Sequence, residues 1–167
     1  PDIRNFLSES LAKNIKKRFK GEFIIAAVAT GAIGIGILVA DKLNLPFIYV
    51  RPNPKKHGQK NQIEGFLKAG QRVLVIEDLI STGKSSLNAV KVLKEASAKI
   101  LGMMSLFNYG FSLTKESFQK EKIELQTLCD YNYLLIEAMK NNKISKKEFD
   151  SLKKWRLNPE NWCPNNP

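Results

Sequence analysis

The stretch at residues 73–86, VLVIEDLISTGKSS, constrains the fold more than any other part of the chain. It begins with four consecutive apolar residues, Val73, Leu74, Val75 and Ile76, and runs into two acids, Glu77 and Asp78. It then continues through Leu79 and Ile80 into a turn of Ser81, Thr82, Gly83, Lys84 and Ser85. A short unbroken apolar run reads as a strand buried on both faces, the environment of a parallel sheet. The carboxylates then stand at the strand's carboxyl end, where open α/β sheets bind ligands. Downstream, Ala89, Val90, Leu93 and Ala96 recur at helical spacing, so the hydroxyl-rich turn opens onto a helix amino terminus. Such a terminus offers unpaired N–H groups and partial positive charge, which suits a phosphate. Acids for sugar hydroxyls beside a turn for a phosphate point to a ribose 5-phosphate site.

The rest of the chain supplies a sheet around that strand. Asp2 is expected to cap a first helix whose Leu7, Leu11 and Ile15 share a face. Residues 23–29, FIIAAVA, read as a buried strand, followed by a turn of small residues from Thr30 and Gly31 to Gly34. A helix carrying Ile37, Leu38 and Leu43 ends near Asn44, and after Pro46 the residues 47–50, FIYV, make a second strand. This is a βαβ unit, hence parallel and right-handed. The glycines of the 30–34 turn let backbone approach a ligand at the same sheet edge as Asp78. Residues 51–70 have two prolines, three glycines and almost no apolar periodicity, so they read as a loop that does not pack as a buried element. Lys55, Lys56, His57 and Gly58 make that loop a cationic arm able to close over a polyphosphate. Further on, residues 99–107 and 125–128 read as strands, Asp130 caps a helix, and Ser145 with Glu148 has capping-box spacing ahead of Phe149, Leu152 and Trp155. Trp162 is expected to tuck against the domain.

Bulk properties narrow the function classes. A chain of 167 residues fits one domain, 1–167, with a sizeable core. Its net charge of +11 favours polyanionic partners, but most lysine clusters read as solvated helix faces. Cys129 and Cys163 have no metal-ligand or redox spacing, which suits a reduced, cytoplasmic setting. The Gly-rich apolar stretch at 33–40 is too short to span a bilayer, so no membrane partner is expected.

The 73–86 motif resembles the phosphoribosyl-diphosphate (PRPP) signature of type I phosphoribosyltransferases. With VATGAIG at 28–34, and with Tyr49, Val50 and Arg51 followed by Lys55, His57 and Gly58, the chain is similar within that family to the orotate phosphoribosyltransferases. The resemblance implies an α/β type I phosphoribosyltransferase fold, a mainly parallel twisted sheet with helices on both faces. It implies transfer of ribose 5-phosphate from PRPP to orotate in UMP biosynthesis. Glu77 and Asp78 would hold the ribose hydroxyls. Ser81, Thr82, Gly83, Lys84 and Ser85 would cradle the 5-phosphate, with Ser81 also reaching orotate, and Leu79 and Ile80 would belong to the substrate-binding stretch between them. Thr30 and Gly31 would lie near the diphosphate. Arg51, Lys55 and His57 would bind that diphosphate, partly across a homodimer interface, and Lys55, His57 and Asp78 would carry catalysis. Mg²⁺ would be held mainly through substrate oxygens, with no metal cage in the protein. Departures from the family are Pro52, where many members have a second basic residue, and Asn108-Tyr109-Gly110, where some carry an arginine. The chain is also expected to start after the family's amino-terminal hood, a segment over the pyrimidine, and orotate binding by 1–167 alone is then expected to be impaired.

Other readings compete. Gly83-Lys84-Ser85 imitates the end of a Walker motif, but Asp78 stands where that motif needs its first glycine. A PRPP-binding regulator contacting nucleic acid is a second alternative; it needs neither Lys55 nor His57 in a mobile arm, and no recognition motif lies among the lysines. A phosphoribosyltransferase for another nucleobase is the third.

Overall fold

The computed structural model describes residues 1–53 and 61–162. Within them, β1 (Ile24–Val28), β2 (Phe47–Val50), β3 (Ile63–Glu64), β4 (Arg72–Ile80), β5 (Lys99–Asn108) and β6 (Leu125–Asp130) form one sheet in the order β3-β2-β1-β4-β5-β6. Every neighbouring pair is parallel except β2 with β3. The apolar runs at the centre explain this, because β1 and residues 73–77 of β4 are buried without alternation, as strands covered on both faces must be.

The covering helices divide between the two faces. On one, α1 (Asp2–Arg18) and α2 (Ala32–Leu43) bury Leu11, Ile15, Val39 and Ala40 against Ile25, Leu74, Ile76 and Met104. On the other, α3 (Lys84–Glu95) and α4 (Ser112–Lys120) bury Ala89, Val90, Leu93 and Phe118 against Ala26, Val73, Val75 and Met103. Alternate residues of β4 thus feed opposite layers, as strand geometry requires. Beyond the edge strand lie α5 (Tyr131–Lys140) and α6 (Lys146–Leu157). Asp130 Oδ1 accepts from the Tyr133 N–H at 3.0 Å, Ser145 and Glu148 form a reciprocal capping box, and the Trp162 indole donates to Ser151 Oγ at 3.3 Å.

Two expectations change. Asp2 is not a cap: Pro1 holds that position, its carbonyl accepting from the Asn5 N–H, and Asp2 sits in the first helical turn. There its charge still favours the helix dipole. Residues 61–70 do contain a buried element, since Ile63 and Glu64 pair with Val50 and Tyr49 and Ile63 is buried. Two residues are too few to show a period. The strand carrying the acids runs on through Ile80, so Glu77 and Asp78 lie near its carboxyl end, as expected.

Candidate active site

Strand order reverses between β1 and β4, since β1 leads through α2 to one side and β4 through α3 to the other. A crevice opens at the carboxyl ends of strands at such a point, and ligands of open α/β sheets bind there. The 29–31 turn after β1, Arg51 after β2 and the 81–85 turn after β4 all converge on this edge.

The two acids face opposite layers. Glu77 continues the Val73 and Val75 side and is 4% exposed, its Oε1 accepting from Ser86 Oγ at 2.7 Å. Burial pushes its carboxyl up to about 7, with the Ser86 hydrogen bond opposing and the charge of Asp78 adding to the rise. Asp78 continues the Leu74 and Ile76 side and is half-buried. Its carboxylate lies hard against Gly31, where a Cβ would come within 2.7 Å of Asp78 Cγ. Gly31 is therefore required by the close approach of this acid, and one carboxylate remains accessible while the other is held by a helix.

The 81–85 turn opens onto the amino terminus of α3, as its sequence predicts. Gly83 caps α3 with φ 77°, and no side chain caps the helix. The first N–H groups of α3 are thus open to an anion. Ser81, Thr82, Lys84 and Ser85 are exposed, and Gly83 is buried against Phe118. Leu79 projects its side chain outward, 43% exposed, while Ile80 is fully buried and its carbonyl accepts from the Tyr109 N–H at 3.0 Å. Ile80 therefore has no side chain to offer a ligand.

Arg51 continues the edge ladder, its N–H donating to the Gln62 carbonyl at 2.8 Å, and its guanidinium reaches Glu64 at 3.4 Å. A small cavity of about 30 Å³ lined by Ala29, Arg51, Ser85 and Asn88 joins the ends of β1 and β2 to the start of α3. A larger one of about 400 Å³, lined by Phe111, Thr114, Phe118 and Leu125 among others, touches neither acid. Lys55 and His57 lie outside the described residues. The structure thus brings together Thr30, Gly31, Arg51, Glu77, Asp78 and residues 81–85 at one edge. The sequence reading missed their supports: Ser86 for Glu77, Glu64 for Arg51, and Thr114 and Phe118 beneath the turn.

A phosphoribosyl transferase domain model matches residues 3–147. An orotate phosphoribosyltransferase of Cytophaga hutchinsonii is 44% identical over 162 residues, covering 97% of this chain and 78% of that one. The chain belongs to the orotate phosphoribosyltransferase family. Among solved structures, the Leishmania donovani UMP synthase superposes with a TM-score of 0.75 at 23% identity, over 92% of this chain and 33% of that one. The Mycobacterium tuberculosis orotate phosphoribosyltransferase superposes with a TM-score of 0.65 at 21% identity, over 78% of this chain and 74% of that one. At such identities these two speak for the fold alone, which is the family's mainly parallel sheet flanked by helices. Membership makes the chain a pentosyltransferase and is in keeping with a divalent metal. No helix among the described residues is long and apolar enough to cross a membrane.

Proposed function

We infer that this orotate phosphoribosyltransferase family member transfers ribose 5-phosphate from PRPP to N1 of orotate, giving orotidine 5′-monophosphate and diphosphate. The observation that carries the reading is the pairing, at the switch point of the sheet, of an accessible Asp78 carboxylate with the uncapped amino terminus of α3. The 81–85 turn holds the 5-phosphate through main-chain N–H groups and hydroxyls. Asp78 accepts from ribose hydroxyls and puts negative charge near the sugar carbon as it gains oxocarbenium character. Glu77 supports it from the opposite face. Arg51, with Lys55 and His57 from the arm, receives the charge that develops on departing diphosphate. One such electrostatic contact is worth roughly 2.7–4 kcal/mol of barrier by analogy with oxyanion donors. No nucleophilic side chain is required.

The donor set fits Mg²⁺: Asp78 offers one hard carboxylate oxygen at the edge, and this ion retains water and takes substrate phosphates as ligands. When bound, the ion supplies charge neutralisation to the diphosphate. A cytoplasmic homodimer, with Lys55 and His57 of each protomer's arm serving its partner's site, completes the proposal.

The decisive assay is loss of orotate absorbance that depends on both PRPP and Mg²⁺, run on residues 1–167 and on a version extended at the amino terminus. Turnover in either supports the reading. Turnover with another nucleobase but not with orotate reassigns the substrate, and no PRPP-dependent turnover with any base rejects the reading.

A further inference from the structure

The 81–85 turn contributes little to its own rigidity. Ser81, Thr82, Lys84 and Ser85 are exposed, and among the described residues no hydrogen bond from the Ser81, Thr82 or Ser85 side chain is formed. Its shape is imposed from below by α4. The Thr114 hydroxyl, on a residue only 1% exposed, donates to the Ser81 carbonyl at 2.5 Å. Gly83 rests on the Phe118 ring, where a Cβ would come within 2.6 Å of Cε2 and 3.5 Å of Thr114 Cγ2. In a trans peptide the carbonyl of one residue and the N–H of the next point in opposite directions. Holding the Ser81 carbonyl down onto α4 therefore turns the Thr82 N–H outward, toward the mouth of the turn.

We propose that Thr114 is a positioning residue for the 5-phosphate: its hydroxyl fixes the Ser81–Thr82 peptide so that the main-chain donors of the turn are aimed before substrate arrives. This rests on the reading of residues 81–85 as the phosphate site. Preorganised donors need no reorientation on binding, so losing this bond costs affinity for the phosphate the turn holds and spares a ligand bound elsewhere on the edge.

The test compares T114V, which replaces the hydroxyl by a methyl of similar shape, with T114S, which keeps the hydroxyl. Titration calorimetry measures ribose 5-phosphate, which engages the turn, and diphosphate with Mg²⁺, which does not. T114V is expected to bind ribose 5-phosphate about five- to tenfold more weakly, the range of one hydrogen bond, and diphosphate as the parent does. T114S is expected to bind both as the parent does. If T114V fails to fold by circular dichroism, the comparison of T114S with T114A isolates the same hydroxyl. Unchanged ribose 5-phosphate affinity in T114V, or equal loss of both ligands, would overturn the proposal and leave Thr114 a packing residue. A parent protein that binds diphosphate but no ribose 5-phosphate would overturn the reading of the turn itself.

Discussion

Consecutive acids on a strand cannot share an environment, and Glu77 and Asp78 differ accordingly. Glu77, buried with its carboxyl near 7, holds a proton in the folded chain over a range where the unfolded chain has lost it. Its contribution to stability is fully present below the ordinary carboxylate value of 4.5 and is lost as pH rises through about 7. At 1.36 kcal/mol per pH unit the swing is on the order of 3 kcal/mol. Glu77→Gln keeps an acceptor for Ser86 and removes the titration. Urea unfolding should therefore show a stability advantage for the variant that grows from about pH 5 to about pH 8; a pH-independent difference would contradict the buried, proton-holding carboxyl. Asp78 is constrained by space. In Gly31→Ala the new methyl collides with its carboxylate, which has to move. Affinity for PRPP, measured by calorimetry, should fall by about tenfold or more, the equivalent of one charge-assisted hydrogen bond, with little change in melting temperature. Retained affinity would mean that Asp78 does not hold the sugar.

Elements differ in how much of them the sequence declares. The central strands, α2, α3 and the caps at Asp130 and Ser145 are legible because burial, period and capping chemistry act within a few residues. The antiparallel β3 is not, since its pairing with β2 depends on partners 13 and 15 residues away. Nor is α4, whose buried residues Thr114 and Phe118 are defined by the turn they support and not by an apolar stripe. The candidate site follows the same rule: the groups proposed to face the ligand announce themselves, while Ser86, Glu64 and Thr114 are visible only once the chain is folded. At the far end, α6 is tied to the sheet by one side chain in particular. Trp155 packs on Tyr109, Phe111 and Tyr131 with ring centres 5.2–5.7 Å apart, and Arg156 Nη1 donates to the Gly110 carbonyl at 2.9 Å. Trp155 is part-exposed, so Trp155→Ala should cost roughly 2–3 kcal/mol in urea unfolding, toward the low end of large aromatic truncations. A loss under about 0.5 kcal/mol, typical of surface changes, would mean that α6 does not depend on this cluster.

At the scale of the whole molecule the question is where the arm acts. Asp78 belongs to the rigid sheet, while Lys55 belongs to the arm assigned to the partner's site, so each site of the proposed dimer draws on two chains. Lys55→Ala should lower turnover far more than PRPP affinity, since the charge it meets develops as diphosphate leaves. Asp78→Asn should lower both. If the arm crosses the interface, a hybrid of the two variants has one site with both residues altered and one with both intact. Random reassortment of equal amounts makes half the dimers hybrid, so about one site in four regains parental function. Mixing the two impaired proteins, after mild dissociation and reassociation, should therefore restore about a quarter of parental activity. An arm that serves its own protomer gives no intact site in any combination, and the mixture would stay as impaired as its components.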